Sequence, residues 1–307
     1  MAEPPVSVVV PAYNAAGTLA RALDSIAAQT VAPAEVIVID DASSDATAAI
    51  AEAHPLRPTV LRLPVNRGAG GALHDGLEAA RHDWVAVLDA DDEWLPEKLA
   101  AQYEALGAEP DASIVATGFV SVDRHGREAW EYGVTPFPHA GREFWRNLLL
   151  DSAILQSSSM VRRRLALATG GVDPTRRTGS DQHLFFRLAR LGPVAYVHRR
   201  LVRYHDSPGS LTKLPERDDI LAVLAMHEQH IALCRAQLTG DQRREARRRR
   251  HAEAAVGLIA ARAWGPALRC LATAIGNGEA LGPSLSRVAA NLPVLRNLKQ
   301  AVIAARR

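Results

Sequence analysis

Short apolar runs alternate with segments of helical periodicity along the first ninety residues of the chain. Apolar runs rich in β-branched residues, typical of strands buried on both faces of a parallel sheet, occupy residues 6–10, 35–40, 59–63 and 84–89. Between them, apolar residues recur three or four positions apart in residues 18–29, 44–53 and 71–81. This β-α-β-α-β-α-β order predicts an α/β fold with a doubly wound, mostly parallel sheet flanked by helices.

The rest of the chain divides into a continuation of this domain and an extension of different composition. A further strand is predicted within residues 111–122, with helices at 140–150 and 180–191. Residues 1–215 carry 21 Lys and Arg against 26 Asp and Glu, whereas residues 216–307, which are helical in pattern, carry 15 against 8. We therefore predict two domains, residues 1–215 and a basic helical C-terminal extension, residues 216–307.

The overall composition is that of a soluble globular protein, with 48% hydrophobic and 23% charged residues among 307. No signal peptide and no apolar run long enough to span a bilayer is evident in the sequence. The two cysteines, Cys234 and Cys270, have no metal-ligand spacing and suggest buried thiols in a reducing compartment. We expect a cytoplasmic protein without a nucleic-acid partner.

Polar residues follow each of the four predicted strands at its carboxyl end. They are Pro11-Ala12-Tyr13, Asp40-Asp41, Asn66-Arg67-Gly68 and Asp89-Ala90-Asp91-Asp92. In a doubly wound sheet, ligands bind beyond the carboxyl ends of the strands. The four groups are therefore expected to meet at one edge of the sheet and to form one site.

The aspartates after the fourth strand suit a hard divalent cation. Mg²⁺ and Mn²⁺ bind in proteins through one or two carboxylates together with phosphate oxygens and water. Asp89 and Asp91 are the expected donors, and Asp92 is expected to cap a helix beginning near Trp94-Leu95-Pro96, since proline suits a first helical turn.

Asp40 and Asp41 allow two interpretations. One of them is expected to cap the next helix, and the other is free to accept a hydrogen bond from a base with a ring N–H, namely uracil, thymine or guanine. Tyr13 either stacks on that base or is a half-buried aromatic. The stretch Asn66–Gly71 departs from the dinucleotide fingerprint, because Leu73 occupies the third glycine position. We interpret it as a turn at which backbone approaches the ligand.

The same segments resemble family 2 glycosyltransferases of the GT-A fold. The resemblance rests on Val6–Asn14, Gln29-Thr30, Val38–Asp45, Asn66–Gly68 and Leu88–Asp92, and then on Gly170–Asp173, Gly179–Arg187 and Arg203-Tyr204-His205 with Ser207 and Ser210. It covers about residues 5–212 and does not cover the basic extension well.

The resemblance implies an inverting, metal-dependent hexosyltransferase of polysaccharide biosynthesis. Residues 1–215 would bind a nucleoside-diphosphate sugar, with UDP or dTDP favoured, and transfer the sugar to an acceptor hydroxyl. The implied nucleotide contacts are Pro11, Ala12, Tyr13, Asp41, Gly68, Asp89 and Ala90. The implied Mn²⁺ or Mg²⁺ ligand is Asp91, the second acid of the D-x-D motif, with Asp89 near the ribose or the metal.

Asp181 corresponds to the proposed catalytic base of the family. Many members have Glu-Asp at this place, where this chain has Ser180-Asp181. The missing carboxylate predicts a pKa of Asp181 that is less raised than in the relatives. Taken alone, an aspartate at the start of a helix is more often an N-cap.

His205 is a further candidate metal ligand. Neutral imidazole binds Mn²⁺ well, and family relatives often carry a histidine here. The alternative is an ordinary histidine on the loop that leads to Pro208 and Gly209, a loop whose residues suit closure over a bound donor.

Two other functions compete with glycosyl transfer. A nucleotidyltransferase also sets aspartates and a metal on a doubly wound sheet, but it usually has a basic glycine-rich loop after the first strand, and residues 11–17 contain no basic residue. A catalytically silent glycosyltransferase-like binding module would have lost its key acids, and here they are all present.

The acceptor is a glycan, a lipid-linked sugar or a small molecule, and the sequence does not decide between them. Residues 115–178 are expected to form its pocket. Trp130, Tyr132, Phe137 and Trp145 either stack on sugars there or belong to the core, and residues 156–159 are candidates for its lining. The arginines at 243, 244 and 247–250 precede an apolar stretch, which suits either a peripheral contact with the inner face of the membrane or a solvated helix face.

Overall fold

The computed structural model of the protein describes residues 4–205 and 216–276. The chain divides into two compact units, Met1–Leu148 with Ser152–Ser207 and Leu149–Asp151 with Pro208–Arg307. The expected closing loop around Pro208 and Gly209, with Ser207 and Ser210, lies outside the described residues.

The first unit is built on one mixed sheet. Its described strands are β1 (Val6–Ala12), β2 (Glu35–Asp40), β3 (Thr59–Arg62), β4 (Trp84–Val87), β5 (Glu93–Trp94), β6 (Ile114–Val122), β7 (Glu128–Tyr132), β8 (Met160–Arg162) and β9 (Val194–His205). The strand order is β3-β2-β1-β4-β8-β6-β9-β5, and β7 pairs with β6. The helices of this unit are α1 (Leu19–Ala27), α2 (Thr47–Ala53), α3 (Gly68–Ala79), α4 (Lys98–Ala108), α6 (Arg163–Ala168) and α7 (Ser180–Leu191), while α5 (Trp145–Leu150) continues into the second unit.

The first half of the sheet is the predicted parallel, doubly wound arrangement. Strand β1 pairs in parallel with β2 on one side and with β4 on the other, and β2 pairs with β3. All four residues of β4 are buried, as expected for an apolar strand covered on both faces. Helix α3 packs closely on β1, since a Cβ at Gly76 would lie 2.3 Å from a methyl of Val9.

The second half of the sheet is mixed. Strand β8 is antiparallel to both β4 and β6, whereas the long strand β9 is parallel to β6 and antiparallel to β5. The sequence pattern predicted only β6 here. Strand β9 was missed because it carries several charged, partly exposed residues, and β8 because three residues are too few to show a period.

Several predicted boundaries were shifted. Helix α3 begins at Gly68, so the glycines at 68–71 form its first turn and not the turn before it. Helix α5 covers only the last six residues of the helix expected at 140–150. Helix α4 begins at Lys98, and Asp92 precedes the short strand β5. The prediction that Asp92 caps a helix near Trp94 was therefore wrong, because the chain continues there as a strand.

The second unit is helical in its described part, as the sequence predicted for the extension. Its helices are α8 (Arg217–Leu233), α9 (Gly240–Ala260) and α10 (Trp264–Gly276). Reciprocal side-chain to backbone hydrogen bonds cap α8 through Glu216 with Asp219 and α9 through Thr239 with Gln242. Among the described residues, no helix is both long and apolar enough to cross a membrane.

Candidate active site

The acid loop, Asp89–Asp92, connects β4 to β5 at the carboxyl end of the parallel strands. One carboxylate oxygen of Asp89, Oδ1, accepts from Gln156 Nε2 at 2.5 Å, and the other, Oδ2, lies 3.1 Å from Ser157 Oγ. Its backbone N–H also donates to Ser157 Oγ, at 3.1 Å. Asp89 is therefore fixed by two residues from the second half of the sheet.

Asp92 is buried and links two distant segments instead of capping a helix. Its Oδ2 accepts a 2.5 Å hydrogen bond from Ser157 Oγ, and its Oδ1 accepts from the backbone N–H of His205 at 3.0 Å. Asp92 thus joins the acid loop to the end of β9, which makes it a structural acid of the site.

Asp91 differs from its two neighbours. Within the described part of the chain, its carboxylate has no hydrogen bond or ion pair, and only its backbone carbonyl is bound, accepting 2.7 Å from Arg21 Nη2. Its side chain is partly exposed. Of the three aspartates in the loop, Asp91 is the one free to bind a ligand.

Burial and mutual repulsion make this loop electrostatically unusual. Burial, together with the charge of Asp91, raises the pKa of Asp89 to about 7, against the hydrogen bonds from Gln156 and Ser157. Burial and the same neighbouring charges raise the pKa of Asp92 well above its usual range. The charge of Asp181 also raises the pKa of Asp89, so Asp181 lies near enough to this loop to act on its charge. Acids gathered without a cation are typical of functional sites.

Asp181 is the second residue of α7 and not its N-cap. The cap position is held by Gly179 in a left-handed conformation, with φ 72°, and burial raises the pKa of the Asp181 carboxyl. The start of α7 packs against the start of α3, because a Cβ at Gly70 would lie 3.0 Å from Ser180 Oγ. The glycine-rich turn predicted to approach the donor is thus next to Asp181.

The residues expected to bind the nucleotide lie at the ends of β1, β2 and β4. Asp41 is buried, and its Oδ1 accepts from the backbone N–H of Arg67 at 2.7 Å. Burial raises the pKa of Asp41, with the backbone N–H groups of Arg67 and Gly68 opposing the shift. Asp41 does not cap α2, since Asp45 accepts from the N–H of Thr47 there.

The remaining nucleotide candidates differ in exposure. Tyr13 is 54% exposed, so its ring is available for stacking and is not a half-buried core aromatic. Pro11 is partly exposed at the end of β1, whereas Ala12 and Ala90 are buried. Gly68, with φ 74°, is exposed at the start of α3. The N–H groups of a first helical turn are suited to bind phosphate.

His205 ends β9 and is not on a loop. Its Nε2 lies 2.7 Å from Glu93 Oε1, and burial and the charge of Arg21 lower its pKa, while Glu93 raises it. The structure therefore brings His205 next to the acid loop with its ring facing Glu93. Among the described residues, no group of three or more His, Cys, Asp or Glu side chains is arranged to hold a metal ion.

The contact of Gln156 and Ser157 with the acid loop was missed at the sequence level. Their candidacy for the lining of an acceptor pocket stays a prediction. The one available signal was a run of small polar residues following an apolar segment, since a buried serine has to satisfy its hydroxyl somewhere.

Comparison with known proteins agrees with this geometry. The model of glycosyl transferase family 2 matches residues 7–170. The succinoglycan biosynthesis protein ExoO of Rhizobium meliloti is 32% identical over 235 residues, which is 73% of this chain and 67% of that protein.

Two solved structures share the fold. S. aureus TarS 1-349 in complex with UDP-GlcNAc has a TM-score of 0.64 and 20% identity, covering 94% of this chain and 84% of the TarS 1-349 chain. The Pyrobaculum calidifontis mannosyltransferase PcManGT, in complex with GDP-Man and Mn²⁺, has a TM-score of 0.57 and 22% identity, covering 100% of this chain and 82% of its own. The mixed sheet with flanking helices is thus a GT-A fold. From the family match and the sequence relatives, the chain belongs to glycosyl transferase family 2 and is a glycosyltransferase.

Proposed function

We propose that this glycosyltransferase moves a hexosyl group from a UDP- or dTDP-sugar to an acceptor hydroxyl with inversion at the anomeric carbon. The observation that carries the proposal is the position of Asp181. Burial raises the pKa of its carboxyl, and its charge in turn raises the pKa of Asp89. A donor bound at the acid loop would have its anomeric carbon between the two.

The base of the donor is proposed to bind between Asp41 and Tyr13. An ionised carboxylate only accepts hydrogen bonds, so Asp41 selects a base with a ring N–H. Uracil, thymine and guanine satisfy this condition. We favour UDP and dTDP, and the complex of TarS with UDP-GlcNAc supports a uridine donor on this fold. A guanine donor, as in the PcManGT complex, is the alternative outcome of the experiment below.

The donor set of the acid loop fits a Mn²⁺ or Mg²⁺ ion held with the donor. Such ions are commonly bound through one or two carboxylates, with phosphates and water as the other ligands, so a cluster of three protein ligands is not required. Asp91 has a free carboxylate, Asp89 is next to it, and His205 is the proposed additional ligand. When bound, the ion would neutralise charge on the departing diphosphate.

The chain's own residues perform the rest of the reaction. Asp181 accepts the proton of the acceptor hydroxyl as the oxygen attacks the anomeric carbon, while the bond to the diphosphate oxygen breaks on the opposite face. Burial raises the pKa of Asp181, which makes its carboxylate a stronger base than that of an ordinary aspartate. One displacement inverts the anomeric centre and releases the nucleoside diphosphate.

A growing polysaccharide or its lipid-linked precursor is the acceptor that we propose, because ExoO is named for succinoglycan biosynthesis. The aromatic residues expected to stack on it are largely packed on one another. Phe137 contacts Tyr132, Phe144 and Tyr196, and Trp145 is buried. Trp130 is partly exposed, as are Tyr132 and Phe137, and these three are the candidates that remain for acceptor stacking.

A donor screen tests the proposal. UDP, dTDP and GDP sugars would be compared for thermal stabilisation of the protein with and without Mn²⁺, because a ligand stabilises the fold that binds it. Release of nucleoside diphosphate is expected from the accepted donor, and NMR of the product should give the inverted anomer. Release of pyrophosphate would instead identify the rival nucleotidyltransferase, and binding without turnover the silent module.

A further inference from the structure

A 3-10 turn, Gln156–Ser158, lies beside the acid loop and contacts it through two side chains. Gln156 reaches Asp89 at 2.5 Å, and Ser157 lies 3.1 Å from Asp89 and 2.5 Å from Asp92. These residues come from the segment before β8, about 65 positions further along the chain than the acids.

The turn is itself firmly anchored. The carbonyl of Ser157 accepts from the indole N–H of Trp94 at 2.7 Å, and that of Ser158 accepts from Gln102 Nε2 at 3.1 Å. Gln102 also donates to the carbonyl of Val115 on β6. Ser157 and Ser158 are fully buried. A side chain carried by this turn therefore has little freedom to move.

Ser157 connects three groups through one hydroxyl. Its oxygen accepts from the backbone N–H of Asp89, and its single proton is directed to Asp92, the nearer of the two carboxylates. Asp92 in turn holds the backbone N–H of His205. Without this hydroxyl, the backbone N–H of Asp89 and Oδ2 of the buried Asp92 would both lose this hydrogen-bond partner.

We propose that Ser157 and Gln156 are positioning residues for donor and metal binding, which hold Asp89 in one orientation while Asp91 stays free to bind. Gln156 donates to Oδ1 of Asp89, and the Ser157 hydroxyl accepts from the backbone N–H of Asp89, whereas the carboxylate of Asp91 has no hydrogen-bond partner in the described part of the chain. Outer residues that orient ligating carboxylates commonly change metal affinity by about 10- to 100-fold when they are removed. This inference rests on the proposed metal-assisted transfer.

The test compares Ser157→Ala with Ser158→Ala. Both serines are fully buried, but the one hydrogen bond of the Ser158 hydroxyl within the described part of the chain goes to the carbonyl of Leu155, so Ser158 is a matched control. UDP binding would be titrated against Mn²⁺, and kcat and the donor KM would be measured separately. We expect Ser157→Ala to raise the Mn²⁺ needed for half-maximal UDP binding about tenfold or more, and Ser158→Ala to leave it within about twofold.

Gln156→Met provides a second variant, because it keeps the length of a partly exposed side chain and removes the amide that donates to Asp89. It should raise the Mn²⁺ requirement in the same direction without unfolding the turn. If both variants need the same Mn²⁺ as Ser158→Ala, the inference is wrong.

The parent protein separates this inference from the proposed function. If UDP binds to the parent without any response to Mn²⁺, the proposed metal role fails. The positioning inference is then decided by UDP affinity alone: it holds if affinity falls in Ser157→Ala and not in Ser158→Ala, and is overturned if the two variants bind alike.

Discussion

Two dense groups of charge in this protein differ in whether nearby groups compensate their charge. The acid loop of the first unit holds Asp89, Asp91 and Asp92 next to one another, and the pKa values of Asp89 and Asp92 are raised because the carboxylates are buried and repel each other. The arginine cluster of α9, at residues 243, 244 and 247–250, is as dense in sequence. There, however, most of the charges have partners within the second unit.

The partners of the α9 arginines are acids and backbone carbonyls. Arg248 and Arg249 both contact Glu245. Burial alone would raise the pKa of Glu245, but the hydrogen bonds from the two arginines lower it. Arg247 contacts Glu228 at 2.9 Å. Arg250, only 2% exposed, donates to the carbonyl of Leu149 and contacts Glu253.

This contrast shows that the site is distinguished by charge that is not compensated, more than by a high density of charge. Buried acids without a cation are unfavourable in the free protein, and such groups are typical of places that bind or react. Paired arginines mainly support structure. The membrane contact expected of the basic extension stays a prediction, with little free positive charge left on α9 to support it.

The largest expected effect is that of Asp181→Asn. A general base contributes about 10²- to 10⁴-fold to a reaction, so transfer should fall by about a thousandfold while UDP and Mn²⁺ binding is kept. Product formation and UDP titration measure the two quantities. If the variant transfers the sugar at the parent rate, Asp181 is not the general base of the reaction.

Asp41→Ala should weaken UDP binding by about 10- to 100-fold, because a hydrogen bond to a charged group contributes about 1.5–3 kcal/mol. Asp45→Ala is the control, since Asp45 also follows β2 but is bound to the N–H groups of Ala16 and Thr47. It should lower the melting temperature with little change in UDP affinity. Equal UDP affinities in the two variants would show that Asp41 is structural.

The pKa of Asp89 predicts how stability depends on pH in the metal-free protein. Its pKa of about 7 in the folded protein is above the usual aspartate value of 3.8, so ionisation is disfavoured in the folded state. The contribution of Asp89 to the free energy of unfolding should therefore fall as the pH rises from about 4 to about 7. Asp89 is only partly buried by surface exposure, so solvent screens part of this penalty, and we expect a change of about 1–2 kcal/mol.

Asp89→Asn should reduce that slope, and urea unfolding at pH 5 and pH 8 would measure it. The slopes of parent and variant would coincide if the acid loop were not electrostatically strained. Such a result would contradict the contrast between the acid loop and α9.

The smallest effect is expected for Glu245→Gln, which removes the shared partner of Arg248 and Arg249. Partly exposed ion pairs contribute about 0.2–1 kcal/mol, so the free energy of unfolding should fall by less than about 1 kcal/mol. Two freed arginines should also increase sedimentation with anionic vesicles at low salt. If the parent protein binds anionic vesicles as strongly as the variant does, the ion pairs with Glu245 do not limit the contact of α9 with anionic membranes.

Much of the site was visible in local sequence because parallel strands end at one edge of a sheet. Asp41 and Asp91 were picked out by their position after an apolar strand, with no knowledge of what lies beside them. Strand β9 was not predicted, since its charged residues obscure the alternation of apolar and polar positions along the strand. The direction of the His205 ring toward Glu93 was also invisible, because a sequence gives the order of residues and not the contacts of their side chains.

The sequence by itself determined the parallel half of the sheet, the helical extension and the family. Each follows from patterns within about a dozen residues, or from motifs whose spacing is kept along the chain. Only the tertiary structure decided which aspartate of the acid loop is fixed and which is free. The deciding partners, Gln156, Ser157 and His205, lie 67, 65 and 113 positions from the acids that they bind. No local pattern specifies such contacts, because they exist only once the antiparallel strands have brought the two halves of the sheet together.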